Sequence, residues 1–185
     1  MRIRSFLSAV LLTLLLLPAS LSSAEITDED MALGGIRIGM TRAEVEGLYG
    51  SGMAIADGVE EQDGIITASN QVRDYGHTLT VSYRQAADDD ARVTSVMLGV
   101  NDVNEYNMRP TEEAQRFETP RGIHLDSTRE DLEAAYGYVP KPKCSHNAPP
   151  ICGYFYDSAS GTAQIAFYIC AEHSPGIRSI WLHEK

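Results

Sequence analysis

The spacing of hydrophobic and polar positions predicts strands over much of the chain. Leu79, Val81 and Tyr83 alternate with Thr80 and Ser82, so one face is apolar and the other polar. The same alternation recurs over residues 92–100, 153–157, 163–171 and 177–183, separated by turns rich in Gly, Asp, Ser and Pro. Period-two segments joined by such turns predict antiparallel meanders.

Two other segments have the period of a helix. Each carries apolar side chains three residues apart and is preceded by a capping-box pattern, in which a hydroxyl and a carboxylate satisfy the first N–H groups. The first box is Thr41 with Glu44. The second segment offers two alternatives, Ser127 with Glu130 and Thr128 with Asp131. A further short helix is predicted within residues 111–117.

The chain also contains an internal repeat. Residues 35–50 align without gaps on residues 122–137, and residues 93–98 align on residues 177–182 in the same order. The predicted fold is therefore α+β: two tandem repeats, each a helix packed on a three- or four-stranded antiparallel sheet. The predicted boundaries are residues 25–110 for the first repeat and 111–185 for the second.

The repeated motif resembles two families of exported proteins. Gly35, Gly39, Thr41, Glu44 and Val45 follow the pattern Gly-x-x-x-Gly-x-[Ser/Thr]-x-x-[Glu/Asp]-[Val/Leu], which is similar to that of the β-lactamase inhibitor proteins and the small outer-membrane-assembly lipoproteins. The tandem arrangement is more similar to the inhibitor family. That resemblance implies two copies whose sheets form one concave binding surface, and it implies no particular contact residue.

The first 24 residues have the features of a cleaved secretory signal. Arg2 and Arg4 precede an uncharged apolar run over residues 6–17, and small residues follow up to Ala24. A run of this length is too short to span a bilayer. We expect a signal peptide over residues 1–24, no lipid-anchor cysteine, no stable membrane insertion, and a periplasmic or secreted protein.

Charge and motif content exclude several functions. The chain has 26 acidic and 15 basic residues and a net charge of −11, which becomes −13 without Arg2 and Arg4. A negative field repels phosphate, so we expect no nucleic-acid partner. One acidic segment is interpreted as a charged loop between strands; it contains Asp57, Glu60, Glu61 and Asp63. We expect no catalytic residues, no cofactor and no enzymatic activity.

Aromatic residues of the second repeat predict a binding surface. If Phe155 pairs with Phe167 across a turn at Gly161, the outer face collects five side chains: Tyr154, Tyr156, Tyr168, Trp181 and His183. Tyrosine and tryptophan on an exposed face are typical of protein–protein contacts. The alternatives are that this face packs against the first repeat or against the linker predicted over residues 101–120, or that the aromatics reflect strand propensity.

Three cysteines leave more than one pairing open. The same register places Cys152 opposite Cys170, which favours a disulfide between them in an oxidising compartment. Cys144, eight residues before Cys152, is an almost equal alternative partner. A minor alternative is a metal site, since Cys144, His146, Cys152, Cys170 and His173 offer zinc-type ligands; we expect no metal.

The predicted function is accordingly binding of another protein. The most specific version is inhibition of a secreted or envelope enzyme through the aromatic face of the second repeat. An alternative is a non-inhibitory assembly or structural protein of the cell envelope. A third and weaker alternative is a small metal-binding domain.

Overall fold

The computed structural model describes residues 25–86, 89–99, 111–146, 150–170 and 176–185. The predicted signal peptide and residues 101–110, the first half of the linker predicted over residues 101–120, lie outside these ranges. In chain order, the described helices are a 3₁₀ turn at Asp28–Asp30, α1 at Arg42–Tyr49, α2 at Glu112–Gln115 and α3 at Arg129–Tyr136. The short helix predicted within residues 111–117 is therefore confirmed as α2.

Within these ranges, ten strands form two sheets. β1 (Ala32–Leu33) and β2 (Ile36–Arg37) make a small two-stranded sheet. The other eight are β3 (Met53–Gln62), β4 (Ile65–Asp74), β5 (Leu79–Ala86), β6 (Arg92–Gly99), β7 (Lys143–Cys144), β8 (Ile151–Asp157), β9 (Ala163–Cys170) and β10 (Ile177–Glu184). They form one antiparallel sheet in the order β3-β4-β5-β6-β10-β9-β8-β7.

The predicted fold class is wrong. The described part of the chain is mostly β, and its helices are short, with eight residues each in α1 and α3 and four in α2. Two separate helix-on-sheet repeats are not formed, because β6 pairs directly with β10 and makes a single eight-stranded sheet. The alternating patterns predicted strands correctly, but alternation within a strand does not specify which distant strand lies beside it.

Local capping signals do fix where the two longer helices begin. Thr41 accepts from the Glu44 N–H, and the Glu44 carboxylate accepts from the Thr41 N–H at 2.7 Å. In α3 the structure selects Thr128 with Asp131 from the two predicted boxes. Each helix thus satisfies orphan N–H groups with its own side chains.

The hydrophobic core lies on one face of the large sheet, under α1 and α3. At the sheet centre, Ile180 pairs with Leu98 and Leu182 with Val96, and all four side chains are fully buried. The helices contribute their buried residues Val45, Leu132 and Tyr136 to the same cluster. A single core therefore joins residues from both halves of the chain.

The N-terminal segment is tied to the second half by polar contacts. Arg121 forms an ion pair with Asp30 at 2.7 Å and donates to the Glu25 carbonyl at 2.8 Å. The Gly34 N–H donates to the Glu118 carbonyl at 2.9 Å. Both side chains of the ion pair are only 13% exposed, so this contact is shielded from solvent.

β3 and β4 form a long hairpin that contradicts the predicted charged loop. Asp57, Glu60 and Glu61 lie within β3, and only Asp63 lies in the turn. Asp63 and Gly64 both have positive φ, which is the geometry of a two-residue hairpin turn, and an Asp-Gly pair is its usual sequence. The acidic residues led to the prediction of a loop, although the Asp63-Gly64 pair already indicated a hairpin turn between two strands.

Candidate functional site

The candidate site lies on the face of the large sheet opposite the core, here called the open face. β-Strand alternation directs the neighbours of core residues to this side. Buried side chains of α1 and α3 belong to the core cluster on the other face. On the open face, Thr80, Ser82, Ser95 and Met97 are half-buried and Trp181 is 39% exposed.

Strand register brings large side chains into one row across this face. Trp181 on β10 pairs with Met97 on β6 on one side and with Ala166 on β9 on the other. Ala166 in turn pairs with Phe155 on β8. The small alanine leaves room between Trp181 and Phe155, and it is fully buried there.

Neighbouring aromatic rings extend the row into a patch. The ring of His183 lies 4.6 Å from that of Trp181, centroid to centroid. Tyr168 packs edge-on against Phe155 at 6.0 Å, and the Lys143 ammonium lies 4.8 Å from the Phe155 ring centre. We call Phe155, Tyr168, Trp181 and His183 the aromatic patch.

Two of the five predicted binding residues are not in this patch. Tyr154 and Tyr156 lie in the core, with only 4% and 6% of their surface exposed. The predicted register is wrong by one residue, because Tyr154 and not Phe155 pairs with Phe167. Since successive side chains of a strand point to opposite faces, this single shift exchanges the two faces of β8.

The observed register is explained by packing beneath α3. Tyr136 of α3 lies 5.2 Å from the Tyr156 ring and 5.1 Å from that of Phe167. The Tyr156 hydroxyl donates to the Gly137 carbonyl at 2.9 Å, so burial leaves it satisfied. Burial raises the pKa of Tyr156 well above its usual value and that of Tyr136 to about 12, so both phenols stay neutral.

Glycine supports the same register on the open face. Gly153 pairs with Tyr168, and a Cβ at Gly153 would lie 2.8 Å from the Phe155 ring and 3.1 Å from the Tyr168 ring. The glycine therefore makes space for the edge-on aromatic pair. Sequence reasoning missed Phe155 as a surface residue, although this glycine two positions before it was a signal that a ring covers the backbone there.

A depression lies beside Trp181 on the side of the first half of the chain. It measures about 250 Å³ and is lined by Trp181 and by Val72, Thr80, Ser82, Ser95 and Met97. Met97 aligns with Trp181 in the sequence repeat, and in the structure the two are direct cross-strand partners. Trp181 therefore borders a depression whose lining combines the apolar side chains of Val72 and Met97 with three hydroxyl-bearing residues, Thr80, Ser82 and Ser95.

Charged groups flank the patch and are mostly paired. Lys185 contacts Asp157 at 3.1 Å, and Gln164 donates to the same carboxylate at 2.7 Å. The hydrogen bond from Gln164, followed by that from Lys185, lowers the pKa of Asp157. Arg84 and Glu60 form a second pair further along the sheet at 2.7 Å. The centre of the patch is thus close to neutral, and its rim is polar.

The disulfide joins Cys144 and Cys152, the alternative pairing. Cys152 pairs with Ile169 in the sheet, so Cys170 is directed to the opposite face and the expected Cys152–Cys170 bridge is not formed. Cys170 is buried and outside the disulfide. Among the described residues, no group of three His, Cys, Asp or Glu side chains is arranged to hold a metal, and His173 lies outside them.

Comparisons with protein-family models, curated proteins and solved structures found no significant match to this chain. The resemblance to the inhibitor and assembly-lipoprotein families therefore depends on the sequence motif alone. Within the described ranges, no helix has the length and apolar content needed to cross a membrane.

Proposed function

We propose that the protein is a binding module that recognises another protein through the aromatic patch. The observation that carries the proposal is Trp181, a large aromatic side chain 39% exposed at the centre of a sheet face. Aromatic anchors surrounded by partly shielded neighbours are the residues that dominate binding energy at protein interfaces. Tyr168 and Phe155 extend the apolar area, and the paired charges provide a polar rim.

The expected partner is a folded protein with a projecting side chain. The depression beside Trp181 has apolar walls in Val72 and Met97 and hydroxyl groups in Thr80, Ser82 and Ser95. A side chain with an apolar stem and a hydrogen-bonding end matches both parts of this lining. Inhibition of a secreted or envelope enzyme is the specific form of the proposal, with the projecting side chain supplied by that enzyme.

The proposed compartment is the periplasm or the medium. The signal-like segment over residues 1–24 supports export, and the Cys144–Cys152 disulfide suits an oxidising compartment. In the cytosol a disulfide closing an eight-residue separation would be reduced. The proposal therefore places both the protein and its partner outside the cytoplasm.

The test uses protein starting at Glu25 as bait on envelope and culture-supernatant proteins, beside a Tyr168→Ala/Trp181→Ala double variant. We expect the parent to retain a partner in a one-to-one complex and the variant to bind it at least about tenfold more weakly, as loss of an interface anchor does. The captured protein is then assayed for activity with and without the parent. Loss of activity supports inhibition.

The matched control is Leu48→Ala. Leu48 is 54% exposed on α1, on the core side of the sheet, so its removal deletes apolar surface away from the patch. Circular dichroism establishes that all variants fold. Equal retention of the partner by the parent and the double variant would show that the aromatic patch is not the binding surface.

A further inference from the structure

A second candidate surface lies at the edge of the sheet, away from the aromatic patch. β3 pairs only with β4, and among the described residues no strand lies along its other side. Alternate residues of an edge strand direct their N–H and C=O groups away from the sheet. β3 has ten residues, whereas at the opposite edge β7 has two and leaves residues 154–157 of β8 without a described strand on that side, so β3 is the longer open edge.

The middle of β3 has the regular geometry that strand pairing needs. The register against β4 shifts between Ala54 and Ala56 and again between Glu60 and Glu61. Between these points the pairing is continuous, from Ala56 opposite Val72 to Glu60 opposite Ala68. Bulges discourage edge-to-edge pairing where they occur, and here they leave an uninterrupted segment between them.

Apolar side chains on this hairpin are exposed to an unusual degree. Met53, Ile55 and Val59 of β3 are 63%, 51% and 62% exposed, and Ile65 and Ile66 at the start of β4 are 67% and 57% exposed. Exposed apolar side chains mark interaction surfaces. Along β3 they accompany the unpaired backbone, with Met53 and Val59 on opposite faces because the register shift between Ala54 and Ala56 reverses the alternation. One extended segment could therefore contact the backbone together with apolar side chains of either face.

Charge on β3 selects the kind of segment. The strand contains Asp57, Glu60 and Glu61 and no basic residue. Glu60 is paired with Arg84, while Asp57 and Glu61 are exposed and have no ion pair within the described part of the chain. Pairing of β3 with a second copy would bring two acidic strands together, whereas a basic segment would be attracted.

We propose that β3 accepts an extended basic segment of a partner protein, which adds to the sheet as a ninth strand. Main-chain hydrogen bonds to the edge provide affinity, as in other cases of β-strand addition. Met53, Ile55 and Val59 provide apolar contacts, and Asp57 and Glu61 select lysine or arginine. This surface goes beyond the aromatic patch and does not depend on it.

The test uses a fluorescent peptide of alternating lysine and valine, about seven residues long, as the probe for strand addition. A peptide of alternating glutamate and valine is the matched control. Anisotropy measures the affinity of each for the protein starting at Glu25, and amide hydrogen exchange by NMR locates the contact. We expect the lysine peptide to bind and to protect amides of residues 56–60.

Charge reversal on the strand gives the second measurement. Asp57→Lys/Glu61→Lys is expected to weaken binding of the lysine peptide about tenfold or more, since opposite charges become like charges. The same variant should bind the glutamate peptide better than the parent does, since like charges become opposite charges. Both side chains are exposed, so folding should be preserved. Glu130→Lys, a charge reversal at an exposed residue of α3, is the control, and its affinity for the peptide should equal that of the parent.

Three results would overturn the proposal. The first is the absence of lysine-peptide binding, and the second is binding that protects no amide of residues 56–60. The third is protection, without peptide, of those amides of residues 56–60 that point away from β4, accompanied by a dimer in sedimentation, which would make a second copy the occupant of the edge.

Discussion

At the scale of single residues, the ion pair between Asp30 and Arg121 links the N-terminal segment to the second half of the chain. Its Nη2–Oδ2 distance is 2.7 Å, and each side chain is 13% exposed. Hydrogen bonding from Arg121 is the main reason why the pKa of Asp30 falls from 3.8 to about 2, with a smaller contribution from Thr27. A shielded pair of this kind contributes to stability, unlike most surface pairs.

The lowered pKa predicts how the stability of the fold depends on pH. A carboxyl whose pKa is lower in the folded state contributes fully above its unfolded value, and the contribution is lost as pH falls toward the folded value. For Asp30 the loss should occur between about pH 5 and pH 2, and it should amount to about 2 kcal/mol of the free energy of unfolding. Asp30→Asn should therefore be destabilised near neutral pH and approach the parent in acid.

Urea unfolding across this pH range measures both proteins. Asp89→Asn is the control, because the Asp89–Arg92 pair is about half exposed on both sides and should matter little. A constant difference between Asp30→Asn and the parent at every pH would mean that Asp30 acts by packing and not by its charge.

At the scale of elements, the capping boxes are the feature that sequence predicted best. A box needs only residues three apart, so its geometry is local, and Thr41 with Glu44 was predicted without alternatives. The choice between Ser127 and Thr128 needed the structure. Ser127 is buried and accepts from the His124 N–H, which leaves Thr128 at the helix start.

The cap of α3 predicts a measurable loss of stability. Thr128→Ala removes the hydroxyl that accepts from the Asp131 N–H at 3.1 Å, and it should lower the free energy of unfolding by about 1 kcal/mol. Thr128→Ser keeps that hydroxyl and should stay within a few tenths of a kcal/mol of the parent. Chemical denaturation of the three proteins measures this, and equal losses for alanine and serine would assign the effect to the lost methyl group.

Registers between strands were predicted less well than the strands themselves. Alternation in β8 fits either face, because Tyr154, Phe155 and Tyr156 are all aromatic. Two features favour the observed register: the Tyr156 hydroxyl donates to the Gly137 carbonyl, and Gly153 leaves space for the neighbouring rings. Both depend on contacts that the alternation within β8 does not contain. Three of the five predicted patch residues lie on the open face. Tyr154 and Tyr156 lie in the core, because the observed register differs from the predicted one by one residue.

At the scale of the whole molecule, the junction between β6 and β10 makes one sheet from two halves of the chain. Its partners are about 80 residues apart, as in Gly99 opposite Ser179, and no local pattern predicts such a pairing. This is why the sequence predicted a separate sheet for each repeat where the structure has one eight-stranded sheet. The junction also aligns Met97 with Trp181, so the open-face depression exists only when the halves are joined.

Gly99 tests how much of the fold depends on that junction. It has φ of +97°, and a Cβ there would lie far inside van der Waals contact of the Arg178 carbonyl oxygen on β10. Backbone atoms of a central strand cannot move aside as the end of a side chain can. Gly99→Ala should therefore lower the free energy of unfolding by more than about 3 kcal/mol, through overpacking added to the strain of positive φ.

Gly161→Ala separates the two causes. Gly161 has φ of +73° in the turn between β8 and β9, and a Cβ there would meet nothing within 4 Å. Its substitution should cost about 1 kcal/mol, the strain of positive φ alone. Denaturation followed by Trp181 fluorescence and by far-ultraviolet circular dichroism measures both variants. Equal losses of stability at the two glycines would show that the close approach of β6 and β10 is unimportant. Separate transitions for the two probes in Gly99→Ala would show that the two halves of the chain retain structure without their junction.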